Sequence, residues 1–237
     1  MTRFGHALRL EVTLQYRQKF LHAAVFSGLI WLAVLLPTPR RLRPVLEPYV
    51  LLGDIALIGF FFIGGIVFFE KQERTLSAVI STPLRFWEYL AAKLVVLLTV
   101  TLGVAVVVVG VAHGFAAISP ALVAGVVLGA LLMLLVGFIT SLPFSSVSDW
   151  FMAAIIPMTV MSGLPVLYYS GVWPHPIAYL FPTLGPLLLL GAAFGQVVLA
   201  PWQVLYALAY SGACVAGLCW LARRMFGRFV IERAGGR

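Results

Sequence analysis

Eight carboxylates, four histidines and two cysteines are the chemically active groups among 237 residues. A hydrolytic or metal site needs several of them to converge. His22, His113 and His175 stand isolated, and no His, Cys, Asp or Glu recurs at ligand spacing. Cys214 and Cys219 lie about 140° apart around one predicted helix, which argues against a bridge. One loop is chemically dense. Glu70 to Arg74 are nearly all charged, and Leu76, Val79, Ile80 and Pro83 then recur at i, i+3, i+4 and i+7, one apolar stripe of a short amphipathic helix. Such a helix either caps its neighbours at a bilayer surface or docks on a partner. Two carboxylates fall inside apolar runs, where ionisable groups are costly and often mark a transport path. Asp54 either lines such a path or reaches out to Arg40, Arg41 or Arg43; Asp149, following Ser145, Ser146 and Ser148, either does the same or caps a helix. Phe60, Phe61 and Phe62, with Phe68 and Phe69, either form a stacking surface for a flat apolar substrate or pack as core and lipid-facing rings.

The elements that position these residues are membrane helices. Apolar residues make up 62% of the chain and charged residues 10%, against about a quarter charged in a soluble domain. Between Lys93 and Arg223 the one charged residue is Asp149. The net charge of +8 therefore forms no water-exposed patch, and nucleic acid is excluded as a partner. Roughly 20 apolar residues cross the hydrocarbon once, which predicts an all-α integral membrane protein, one domain over 1–237, with six transmembrane helices at about 20–36, 49–69, 89–112, 121–142, 150–169 and 202–221. Pro37, Pro39 and Pro44 end the first span. No small-x-small cleavage site follows it, so it is expected to stay uncleaved. Lys93, one turn inside the third span, is expected to snorkel. Residues 173–201 are apolar but carry Pro174, Pro176, Pro182, Pro186 and Pro201, which predicts a re-entrant or interfacial helical hairpin, tolerated only where protein covers its backbone. Gly125 with Gly129, Gly212 with Ala216 and Ala213 with Gly217 offer close helix approach, either within the chain or across a dimer.

Thirteen of the sixteen basic residues fall at one set of span ends, and Arg40, Arg41 and Arg43 at the other. Both termini are thus expected in the cytoplasm, with residues 222–237 as a tail and membrane lipid as a partner. In the N-terminal segment, 1–19, Phe4, Leu8, Val12 and Tyr16 share one side. The segment is either an interfacial helix or an ordinary basic flank. The chain has no Gly-Lys dipeptide, hence no phosphate-binding loop.

The order Glu70, Glu73, Thr75-Leu76, Thr82-Pro83-Leu84 and Ala92-Lys93 resembles the ABC-2 type permeases, membrane subunits of ATP-driven exporters. Arg74-Thr75-Leu76-Ser77 stands where that family usually has Gly-Thr-Leu-Glu. More closely, Arg17 to His22, Phe68 to Thr75 and Ser81 to Leu94 resemble the permease subunits of actinobacterial, mycobacterial-type fluoroquinolone exporters. The resemblance implies a half-transporter that pairs with a second permease subunit, as a homodimer or heterodimer, and with two copies of a cytoplasmic ABC ATPase. ATP and Mg would sit on that partner; no cofactor and no enzymatic activity is expected on this chain. It also implies that loop 70–86 holds a coupling helix, with Glu70, Glu73, Arg74, Thr75, Leu76, Val79, Ile80 and Pro83 as ATPase-coupling residues, and that 1–19 is a connecting helix. Amphiphilic drugs of the fluoroquinolone type are the expected cargo, a lipid or a heme the alternative, with Asp54, Phe60, Phe61 and Phe62 as candidate path residues. An ion-coupled secondary transporter would need midplane charges and a repeated half, and a membrane enzyme clustered acid, base or metal groups; neither pattern is found in the sequence.

Overall fold

A computed structural model describes residues 3–73 and 85–231, and every regular element among them is a helix. α1 (Arg3–Arg17) turns through 64° into α2 (Phe20–Leu35). The elbow is at Lys19, the sole non-glycine residue with positive φ among those described, at 64°. There follow α3 (Arg43–Gln72), α4 (Phe86–His113), α5 (Pro120–Ser141), α6 (Val147–Tyr169), the short α7 (Leu184–Ala193) and α8 (Pro201–Phe229). Helices α3, α4, α5, α6 and α8 are each long and apolar enough to cross a membrane, and the bent α1–α2 pair would make a sixth. The amphipathic loop helix read from Leu76, Val79, Ile80 and Pro83, together with Arg74 and Thr75, lies outside the described residues.

Long apolar helices overlap the expected stretches, with two boundaries shifted most: α8 runs to Phe229, eight residues past the expected Leu221, and α3 begins at Arg43, six residues before the expected Tyr49. Pro44 falls in its first turn, where no N–H has an intrahelical partner, so the ring that was read as a breaker starts the helix. Asp149 also differs from expectation. Ser146 is the cap of α6, its hydroxyl accepting from the Ser148 amide, and Asp149 sits in the first turn, favourably placed toward the positive end of the helix dipole.

Helix α5 is the hub and packs against α3, α4, α6, α7 and α8. Its apolar window is 67% buried, against 17% for α6 and 11% for α8, which leave broad faces uncovered. Glycine makes the hub possible. A Cβ at Gly125 would stand 3.0 Å from the Pro186 carbonyl oxygen of α7, and one at Gly137 would stand 2.9 Å from Phe60 Cα, where α3 widens into a π-helical turn over Leu57–Phe62. The Gly125 and Gly129 pair thus serves packing inside the chain, whereas Gly212 and Gly217 have nothing within 4 Å.

The proline-rich segment folds as a 3-10 turn, Pro176–Leu180, leading into α7. To four successive carbonyls of its interrupted backbone α8 supplies hydroxyls, and Phe181 O also accepts from the Leu184 amide at 3.1 Å. Tyr206 Oη donates to Tyr179 O at 2.7 Å and to Phe181 O at 3.3 Å, Tyr210 Oη to Leu180 O at 2.7 Å, and Ser211 Oγ to Pro182 O at 2.9 Å. Covering by protein is what irregular backbone at membrane depth requires.

Candidate functional site

The charged loop leaves the last turn of α3 and returns into the first turn of α4. Glu70, in the last helical turns of α3, is 4% exposed, and Lys93, two turns into α4, is fully buried. The Lys93 ammonium donates to Glu70 Oε1 and, at 2.9 Å, to Glu11 Oε2 of α1. Tyr89 Oη, one turn before Lys93, donates to the other Glu70 oxygen at 2.5 Å. Gln15, one turn after Glu11, donates to Glu11 Oε1 at 3.0 Å. Lys93 Nζ also stands 4.8 Å from the centre of the Tyr89 ring. Three helices far apart in sequence are therefore tied through one ammonium.

This arrangement overturns the expected snorkelling of Lys93. Two carboxylates converge on the amine, and its desolvation is offset by paired, charge-assisted hydrogen bonds. The same knot shows which side of α1 meets the protein. Val12 and Tyr16, half of the apolar stripe, are exposed, and the side facing the protein carries Glu11 and Gln15. Beside this knot Lys71 donates to the carbonyls of Ser141 and Leu142 at 2.9 Å and of Phe144 at 2.7 Å, a cation on the negative end of α5. Phe226 of α8 closes the same end, 5.6 Å from Tyr89 and 5.1 Å from Phe86 between ring centres.

The path candidates lie elsewhere. Asp54 is 2% exposed and meets none of the three arginines; Ser27 Oγ donates to its Oδ1 at 2.6 Å and Trp31 Nε1 at 3.1 Å, both from α2. Arg43 instead donates to the carbonyls of Leu36, Thr38 and Ala112. Phe60 is buried and stacked on Trp150 at 5.7 Å, Phe61 packs edge-on to the same indole at 6.0 Å, and Phe62 meets Phe20 at 5.4 Å. These rings pack helices together. Glu73, the last residue described before the loop, is exposed.

Sequence reasoning missed Glu11 and Glu47, the latter fully buried, with the His113 Nε2 2.7 Å from its carboxylate. A signal existed for the first. Glu11 and Gln15 are an i, i+4 polar pair on an otherwise amphipathic segment, as Ser27 and Trp31 are on α2, and such pairs mark a face that needs a polar partner.

Comparison with known proteins finds similarity along nearly the whole chain. The model of the fluoroquinolones export permease protein family matches residues 2–234. Two curated relatives, the fluoroquinolones export permease proteins of two Mycobacterium tuberculosis strains, are each 69% identical over 235 residues, covering 99% of this chain and 99% of their own. No solved structure matches the chain.

Proposed function

Since the chain belongs to the fluoroquinolones export permease protein family, we propose that it is the membrane-spanning subunit of an ATP-driven exporter that moves amphiphilic, partly aromatic molecules of the fluoroquinolone class out of the cell. In this reading α2, α3, α4, α5, α6 and α8 are six spans, both termini are cytoplasmic, and α1 is an interfacial connecting helix. ATP and Mg are held on two copies of a cytoplasmic ATPase, because this chain has no phosphate-binding loop of its own. A second permease subunit completes the pathway.

The whole-length family match is the observation that carries the reading. The Lys93 knot supports its mechanical part. Loop 70–86 would supply Leu76, Val79, Ile80 and Pro83 to a groove of the ATPase and Glu73, Arg74 and Thr75 to fix the register, and it begins at Glu70 in the last turns of α3. Glu70 and Glu11 share Lys93, so a push on the loop moves α1 and α4 with α3 instead of bending a free loop. Asp54 and Phe60 line a path only in a state where the α2–α3 and α3–α6 contacts have opened.

Two measurements test the proposal. The isolated chain should hydrolyse no ATP and gain hydrolysis with its partner, and Leu76→Asp combined with Ile80→Asp should abolish ATPase co-purification while membrane insertion stays normal. Expression of the assembled transporter in a drug-sensitive host should lower fluoroquinolone accumulation only while ATP is present. Unchanged accumulation with an assembled, ATP-hydrolysing complex refutes the cargo and leaves the transporter class standing.

A further inference from the structure

The C-terminal end of α8 holds a cavity of about 580 Å³ lined by Trp220, Arg223, Arg224, Gly227 and Arg228. Their spacing, i, i+3, i+4, i+7 and i+8, puts all five on one face of the helix. Among the described residues no carboxylate lies within ion-pair distance of the three arginines. Each guanidinium instead stands over an aromatic ring: Arg223 over Trp87 of α4 at 6.0 Å, Arg224 over Trp220 at 5.6 Å and Arg228 over Phe229 at 5.8 Å. Stacking of this kind occupies the flat faces of a guanidinium and leaves its N–H edge free to fork an anion.

We propose that this cavity seats the headgroup phosphate of an anionic phospholipid of the bilayer. Three arginines in one cavity call for an anion. The indoles of Trp87 and Trp220 are the side chains that settle at headgroup level. The helix that carries the cavity, α8, is the least covered of the long helices, with 11% of its apolar window buried, which leaves a wall for acyl chains. A free phosphate would use the arginines but not that wall, and a soluble partner would not need the indoles at the interface. From the proposed topology the inference takes only that this end of α8 meets a bilayer surface.

Native mass spectrometry of the detergent-purified full chain, titrated with phosphatidylglycerol, phosphatidylcholine or inorganic phosphate, tests it without ATP or transport, so its failure is separable from failure of the export reading. Each basic group facing an anionic lipid contributes about fivefold in affinity. The combined Arg223→Gln, Arg224→Gln and Arg228→Gln variant should therefore lose about 100-fold in phosphatidylglycerol retention and fall to the phosphatidylcholine level, while Arg40→Gln with Arg41→Gln, at the other end of the helices, changes nothing. If the triple variant fails to fold, Arg224→Gln alone should cost about fivefold, and raising salt should strip phosphatidylglycerol from the unaltered chain. The proposal is overturned if the unaltered chain holds both lipids equally, if the triple variant keeps its preference, if inorganic phosphate displaces the lipid at equal concentration, or if the triple variant loses an associated protein and keeps its lipid preference.

Discussion

At the loop end of the helices, a buried lysine draws carboxylates from two other helices onto itself; at the opposite end the buried polar groups are met largely by neutral or backbone partners. There Asp54 rests on a hydroxyl and an indole N–H, and Arg43 caps the closing carbonyls of α2 and α4. Hydroxyls of α8 receive the broken backbone of the proline-rich turn at the same end. The two ends therefore fail differently. Removing one member of a buried ion pair strands a charge in low dielectric, whereas removing one member of a neutral hydrogen bond strands only a dipole. Under the proposed coupling role, the segment gains from the first kind of joint, since no partial opening of it is cheap.

The sharpest way to break this contrast is at Lys93. Lys93→Met should cost about 3–5 kcal/mol, because Glu11 and Glu70 stay buried without their cation, and thermal unfolding of the purified chain should fall accordingly. Adding Glu11→Gln and Glu70→Gln should recover most of that loss, since nothing charged is then left behind. Stability of Lys93→Met equal to that of the unaltered chain would remove the distinction between the two ends.

Asp54 carries the next largest effect. Asp54→Ala leaves the Ser27 hydroxyl and the Trp31 N–H without their acceptor, a cost of about 1–3 kcal/mol, while Asp54→Asn keeps an acceptor and should stay near the unaltered melting temperature. Drug export separates the two roles of this residue. Full export by Asp54→Asn marks a packing contact, and lost export at normal stability marks a path residue. The smallest effect is expected at Tyr206→Phe, which removes one hydroxyl from a backbone that Tyr210 and Ser211 still hold. About 0.6 kcal/mol is typical of such an interhelical bond in a membrane. A loss several times larger would mean that the carbonyls act as one unit, and the opposite end would then be as brittle as the loop end.

Family membership and the helix layout were legible in the chain; the geometry of the site was not. The resemblance carried by Arg17 to His22, Phe68 to Thr75 and Ser81 to Leu94 led to the family that the whole-length match then established. The long apolar helices were readable because hydrocarbon thickness acts on each run of apolar residues separately, so about 20 such residues suffice whatever they pack against. Even the shifted start of α3 is local, a proline whose effect depends on whether it enters a helix or interrupts one. What only the tertiary structure decided is which polar groups meet. Glu11 and Lys93 are 82 residues apart, Lys93 and Glu70 23, and Glu47 and His113 66. The sequence placed Lys93 near a membrane surface, where a lone amine would reach for water, and gave no distance to Glu11. Inside the fold that outward route is closed by α1 and two carboxylates stand within reach, so the amine turns inward. The reason is the same in each case: the cost of burying a charge is a property of the residue, and its compensation belongs to neighbours that only the packing of helices brings together.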